Sequence, residues 1–115
     1  VTRGMVILPC SCDTLSRVGR GSGDTLIARA AHCHLKERRQ LILCVRESPW
    51  TLIDLDNARS VAAAGGTVMP LSPPFFMAGR RDPDHVTLPM MLSAYVDRVL
   101  ALLGHAPTAT WETIR

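Results

Sequence analysis

Apolar and polar positions along the chain follow two periods in turn. Short continuous apolar runs stand at Met5–Pro9 (MVILP) and Leu41–Val45 (LILCV), with a shorter one at Thr67–Met69. Runs of this length, bounded by turn residues, read as strands buried on both faces of a sheet. Between them the period lengthens to that of a helix. Asp13–Arg20 has capping residues in front and apolar positions at Leu15 and Val18. Thr25–Arg38 puts Ile27, Ala30, Ala31 and His34 on one face, with Arg29 and Lys36 opposite. Pro49–Ala64 is a third helix, closed by Gly65–Gly66, and Val86–Leu103 is a fourth, with Gly104 beyond it. Gly19–Asp24 (GRGSGD) is expected to be a turn, with Asp24 capping the helix that follows. The alternation predicts an α/β domain over residues 1–104, a parallel sheet with helices on both faces, and leaves 105–115 as an unassigned tail.

In open parallel sheets, ligands collect beyond the carboxyl ends of the strands. Three segments qualify: PCSCDT after the first strand, RESPW after the second, and the proline-rich PLSPPFF after the third. All three are expected to open on one edge. Ser11 and Thr14 stand at a helix N-terminus, where hydroxyls and free N–H groups suit an anionic or carbonyl-rich ligand, or serve as plain caps. Arg46 and Glu47, set hard against LILCV, are either a solvated strand end or part of a site. Lys36–Arg39 reads as a helix end whose cations suit the C-terminal dipole. Arg98 lies at the margin of the last helix's apolar face, beside Met91, Tyr95 and Leu102. It is either a snorkelling cation or a phosphate partner.

Composition narrows the class. A chain of 115 residues is one domain at most, and 47% hydrophobic with 20% charged residues is an ordinary globular balance. The net charge of +3, with Lys and Arg mixed among acids, gives no reason to expect a nucleic-acid partner. No apolar run is long enough to span a membrane and no signal segment opens the chain, so no membrane association and a cytoplasmic location are expected. The first residue is Val1 rather than Met, as in a processed or partial product. Cys10, Cys12, Cys33 and Cys44 do not form a disulfide framework and read as reduced thiols. Cys10 and Cys12 make half a zinc site at most. His32 and His34, two apart on a helix, point about 200° away from each other and cannot chelate one ion. No metal is expected.

Several segments together resemble one family. GMVILPCS, LIARAAHCHLKERRQLILCVRESPWTLIDL, the GTVMP step, PPFF and VDRVLALLG are similar to the UbiX-type flavin prenyltransferases, over Gly4 to Gly104. The resemblance implies a flavodoxin-like or Rossmann-like subunit that binds FMN and assembles into a homo-oligomer as large as a dodecamer, with sites at subunit contacts. The implied reaction joins a dimethylallyl group, from dimethylallyl phosphate or diphosphate, to reduced FMN. Its product is prenylated FMN, the cofactor of UbiD-type decarboxylases. Carried over by position, Ser11, Cys12, Asp13 and Thr14 match the loop that holds FMN, and Arg29 and Arg46 match flavin-binding arginines. Lys36, Arg46, Phe76 and Arg98 fall where the prenyl phosphate is bound, and Glu47 matches the acid with a proton-handling role. Trp50, Phe75 and Phe76 are candidates for the apolar walls that an allylic cation needs.

The chain departs from that pattern at three points. Phe76 stands where the family has a tyrosine, and losing one hydrogen bond to a charged group costs about 1.5–3 kcal/mol. Asp13 replaces a lysine beside the expected flavin. The family's opening strand and flavin-wrapping loop, which come before the equivalent of Gly4, are not in these residues, so the 115 residues are expected to be part of a longer protein. Phe76 and Asp13 keep open an alternative, a non-prenylating FMN-binding flavoprotein that is either a decarboxylase accessory subunit or a relative of FMN-dependent cysteine decarboxylases. A structural oligomerisation module without a cofactor is the third reading.

Overall fold

Gln40–Val45 forms β2, the middle strand of a three-stranded parallel sheet in a computed structural model that describes residues 3–71 and 88–104. Its neighbours are β1 (Gly4–Cys10) and β3 (Thr67–Pro70). The central position explains the unbroken apolar run. Leu41, Ile42, Leu43 and Cys44 are fully buried and Val45 nearly so, which leaves no face for a polar residue. The charges at 36–39 and 46–47 are excluded from the sheet and mark its two edges.

Parallel register sets the faces. Met5 pairs with Leu41, Ile7 with Leu43, and Leu43 with Val68, so these side chains project together. Onto that face pack Leu15 and Val18 of α1 (Cys12–Gly19), Ala28 and Ala31 of α2 (Leu26–Lys36) and Val61 of α3 (Leu52–Ala63). With the strand order β1-β2-β3, all three helices pack on the one face, and α1 packs against both α2 and α3. Ile42 and Cys44 turn to the opposite face and are buried there as well.

Several element ends differ from expectation, each for a local reason. Thr25, not Asp24, caps α2, accepting from the N–H of Ala28 at 3.1 Å. Asp24 instead pairs with Arg17 and accepts from the Ser22 hydroxyl at 2.9 Å. The buried stripe of α2 is Ala28, Ala31 and His34. Ile27 is 51% exposed, because the helix sits close to the sheet on its alanines and turns Ile27 outward. Arg38, at φ 57°, reverses the chain into β2. α3 starts at Leu52 rather than Pro49, because Thr51 and Asp54 form a reciprocal capping box at that point.

The chain divides into two units, Val1–Leu71 and Ser72–Arg115. In the second, α4 (Leu88–Leu102) carries buried Met91, Ala94, Tyr95 and Val99 at helical spacing, with Asp97 buried and Arg98 exposed. The PPFF loop with Phe75 and Phe76, and the tail 105–115, lie outside the described residues. Among the described residues no helix is long and apolar enough to cross a membrane.

Candidate functional site

Two backbone bonds build the site's frame. The N–H of Arg46 donates to the carbonyl of Cys10 at 2.9 Å, and that of Leu71 to the carbonyl of Val45 at 2.8 Å. Each bond carries the parallel ladder one step past the strands, so the segments after β1, β2 and β3 leave the sheet side by side. Ser11–Thr14 and Arg46–Trp50 therefore share the carboxyl edge, and the third segment starts there at Leu71.

Ser11 caps α1. Its Oγ accepts from the N–H of Thr14 at 3.1 Å and donates to Thr14 Oγ1 at 3.1 Å. The capping role is thus realised, and the Thr14 hydroxyl keeps its own hydrogen as a donor. The N–H of Cys12, in the first turn, donates to Glu47 Oε1 at 3.1 Å. A carboxylate of the chain itself thus occupies this helix N-terminus, where negative charge is favoured. The Arg46 guanidinium lies 3.9 Å from the same oxygen. Trp50 is partly buried against the core, and its indole N–H donates to the carbonyl of Glu47 at 2.7 Å, which pins the loop from beneath. Ser11, Thr14, Arg46 and Glu47 are thus held in fixed relation at this edge.

Other expected site residues lie elsewhere. The Asp13 carboxylate turns away to Arg17, one turn along α1, at 2.9 Å, and is largely exposed. Its charge is therefore directed off the edge and partly compensated. Arg29 donates to the carbonyl of Gly23 at 3.1 and 3.3 Å, holding the turn between α1 and α2. Lys36 ends α2 just before β2 begins, so it sits at the amino edge, in a hollow it shares with Arg20, His32 and Ala64. β2 has six residues and spans about 20 Å. Within one chain, Lys36 and Arg46 therefore stand at opposite ends of β2. Arg98 belongs to the second unit, and Phe76 lies outside the described residues.

Two thiols at the edge are perturbed. Burial, reinforced by Cys44, Cys12 and Glu47, pushes Cys10 up to about 12. Cys12 is pushed up to about 11 by desolvation first, then by Asp54 and Glu47. Asp54 itself is held below the usual carboxylate range, chiefly by the N–H of Thr51. Asp54 went unrecognised in the sequence as a neighbour of the site. Thr51-x-x-Asp54 is a capping signature that would have started α3 correctly and brought Asp54 to this edge. No group of three or more His, Cys, Asp or Glu among the described residues could hold a metal ion.

A parallel sheet covered by helices, with its loops gathered at the carboxyl edge, is an α/β fold of flavodoxin-like type. The chain matches the Flavoprotein family over residues 1–89 and belongs to it. It is 52% identical over 77 residues to the flavin prenyltransferase UbiX of Deinococcus radiodurans, covering 67% of this chain and 40% of that protein. The crystal structure of AnUbiX (PadA1) in complex with FMN and dimethylallyl pyrophosphate matches with a TM-score of 0.76 at 32% identity, over 100% of this chain and 56% of that one. A dodecameric FMN-dependent UbiX-like decarboxylase from Escherichia coli O157:H7 matches at 0.81 and 33% identity, over 96% of this chain and 56% of that one. The chain thus spans about half the length of these relatives.

Proposed function

We propose that the protein to which this chain belongs is a flavin prenyltransferase, moving a dimethylallyl group from dimethylallyl phosphate or diphosphate to reduced FMN. The observation that carries this reading is the joined edge, where Cys10–Arg46 pairing brings Thr14, Arg46 and Glu47 together, in a chain half identical to UbiX over 77 residues. The donor set fits a flavin. A guanidinium and a hydroxyl suit its carbonyl-rich ring edge, and Trp50 offers an apolar surface beside them.

Reduced FMN, when bound, supplies the nucleophilic ring atoms. The chain's own residues do the rest. Arg46 binds and orients, and its charge offsets that of the departing phosphate. Glu47, whose carboxylate accepts from the N–H of Cys12, would be the group that takes up a proton in this reading. Lys36 and Arg98 are the further phosphate-binding cations of this reading. Lys36 stands at the far edge of its own sheet, so it serves the site of another copy. That requirement, with the dodecameric relative, supports a homo-oligomer with shared sites. The product is delivered to a UbiD-type decarboxylase.

A second reading, an FMN protein that binds no prenyl phosphate, is favoured by one observation. The E. coli structure of similar fold is an FMN-dependent decarboxylase. Anaerobic incubation of the full-length protein with reduced FMN and dimethylallyl phosphate separates the two. A flavin product heavier by one dimethylallyl group is expected. Bound FMN that stays unmodified overturns the first reading in favour of the second.

A further inference from the structure

The loop that follows β2 is tied down at both ends. At its start the N–H of Arg46 donates to the Cys10 carbonyl at 2.9 Å, and at its end Thr51 and Asp54 cap α3 reciprocally. Between these anchors Ser48 and Pro49 are exposed, and Pro49 has no N–H to give. Glu47 sits in the span between the two anchors. Its carbonyl accepts from the Trp50 indole N–H at 2.7 Å, three residues on, and is the acceptor that a main-chain turn bond would use. We propose that Trp50 is a positioning residue, whose indole N–H fixes the main chain of Glu47 and so aims its carboxylate at the Cys12 N–H. This rests on the prenyltransferase reading of the site and adds to it a residue that acts through Glu47.

The chemistry favours an indole in this place. Its broad, rigid ring is partly buried against the core cluster that β1, β2 and the helices share, so the core sets where the N–H points. The contacts of the Glu47 carboxylate are weaker holds. Its side chain is 45% exposed, and the Arg46 guanidinium at 3.9 Å forms a surface pair with it. The Cys12 N–H bond, at 3.1 Å, is charge-assisted only while the carboxylate is ionised. Taking up a proton weakens that bond and leaves the one to the carbonyl untouched. The indole thus keeps Glu47 at the edge in both protonation states, which a group that takes up and releases a proton in each cycle requires.

Two measurements on the purified full-length protein test this. In each, Trp50 is replaced by Phe and, separately, by benzothienylalanine, which matches the indole in shape but has sulfur in place of the N–H. The first needs no turnover. Amide hydrogen exchange at Cys12, whose N–H reports the place of the Glu47 carboxylate, is read by mass spectrometry with residue-level fragmentation. It is expected to quicken about fivefold in both variants, with the amides of β2 unchanged. Unchanged exchange at Cys12 overturns the proposal. In the second measurement, kcat for prenyl transfer is expected to fall about fivefold in both variants, with FMN affinity and KM for dimethylallyl phosphate unchanged. Native kcat with benzothienylalanine overturns the proposal, since ring shape alone would then suffice. So does a loss of FMN affinity in that variant, which would make the indole N–H a cofactor contact. Failure of the native protein to prenylate FMN, with faster Cys12 exchange in both variants, overturns the functional reading and leaves the hold of Trp50 on Glu47 standing.

Discussion

Gly19, the last residue of α1, lies directly against Asn57 of α3. A Cβ on Gly19 would stand 2.9 Å from the Asn57 carbonyl oxygen and 3.1 Å from its Cα. Both obstacles are backbone, so no side chain can swing aside to make room. The contact sets how closely α1 approaches α3, and through α1 it sets the position of Ser11 and Thr14 at the opposite end of the helix. Gly19→Ala is expected to destabilise the fold by about 1–3 kcal/mol, as overpacking does. Urea unfolding followed by far-UV circular dichroism measures it. An unchanged midpoint would mean that α1 and α3 are not held this close.

Arg46 separates side-chain from main-chain roles. Its N–H belongs to the sheet frame, while its guanidinium projects from the edge and its side chain is 55% exposed. Arg46→Ala should therefore leave the melting temperature nearly unchanged, as surface substitutions do. FMN affinity should fall by about 10- to 100-fold, the effect of losing hydrogen bonds from a charged donor. Fluorescence titration of FMN and differential scanning fluorimetry on the same samples give both numbers.

The strands were readable in the sequence because a central parallel strand admits no polar residue, and LILCV has none. The helix starts were less so, since several Ser, Thr and Asp residues compete to cap. Asp24 and Thr25 are adjacent candidates, and Arg17 decides between them by drawing Asp24 away, a contact seven residues back that no local pattern reports. Ile27 misled for a similar reason. Helical period alone cannot tell an isoleucine facing the sheet from one facing out when alanines beside it allow closer packing. At the site, the loops after β1 and β2 were expected to meet and do, because parallel topology alone requires it. The separation of Lys36 from Arg46 follows from the same topology. Family resemblance groups those residues by shared ligand, whichever copy supplies them.

Alkaline pH should weaken the fold. The Cys10 thiol, pushed up to about 12 chiefly by burial, binds its proton more tightly folded than unfolded, where 9.0 is the ordinary value. Its contribution is complete below pH 9.0 and is lost as pH rises through about 12. Cys12 acts the same way up to about 11. Asp54 has the opposite sign. Its depressed pKa contributes stability above the ordinary 3.8, and this is lost as acid protonates the α3 cap. Urea midpoints measured from pH 8 upward should decline in the native protein, and more gently in Cys10→Ala. Equal slopes would show that the Cys10 thiol titrates in the folded state as it does in the unfolded chain.

Lys36 and Glu47 provide the strictest test of the shared site, because they lie at opposite edges of the same sheet. If each site takes Glu47 from one copy and Lys36 from another, Lys36→Ala and Glu47→Gln are each inactive when alone, yet they repair each other when mixed. A site built from a Lys36→Ala copy supplying Glu47 and a Glu47→Gln copy supplying Lys36 is intact. Random co-assembly makes about a quarter of all sites of this kind, as expected for a head-to-tail contact between unlike surfaces. Co-expression of the two variants with distinguishable tags, purification of mixed oligomers and assay of prenylated flavin should recover activity at about that fraction of the native level. Mixed oligomers as inactive as either variant alone would mean that Lys36 takes no part in another copy's site. The amino-edge cations would then be a solvated helix end.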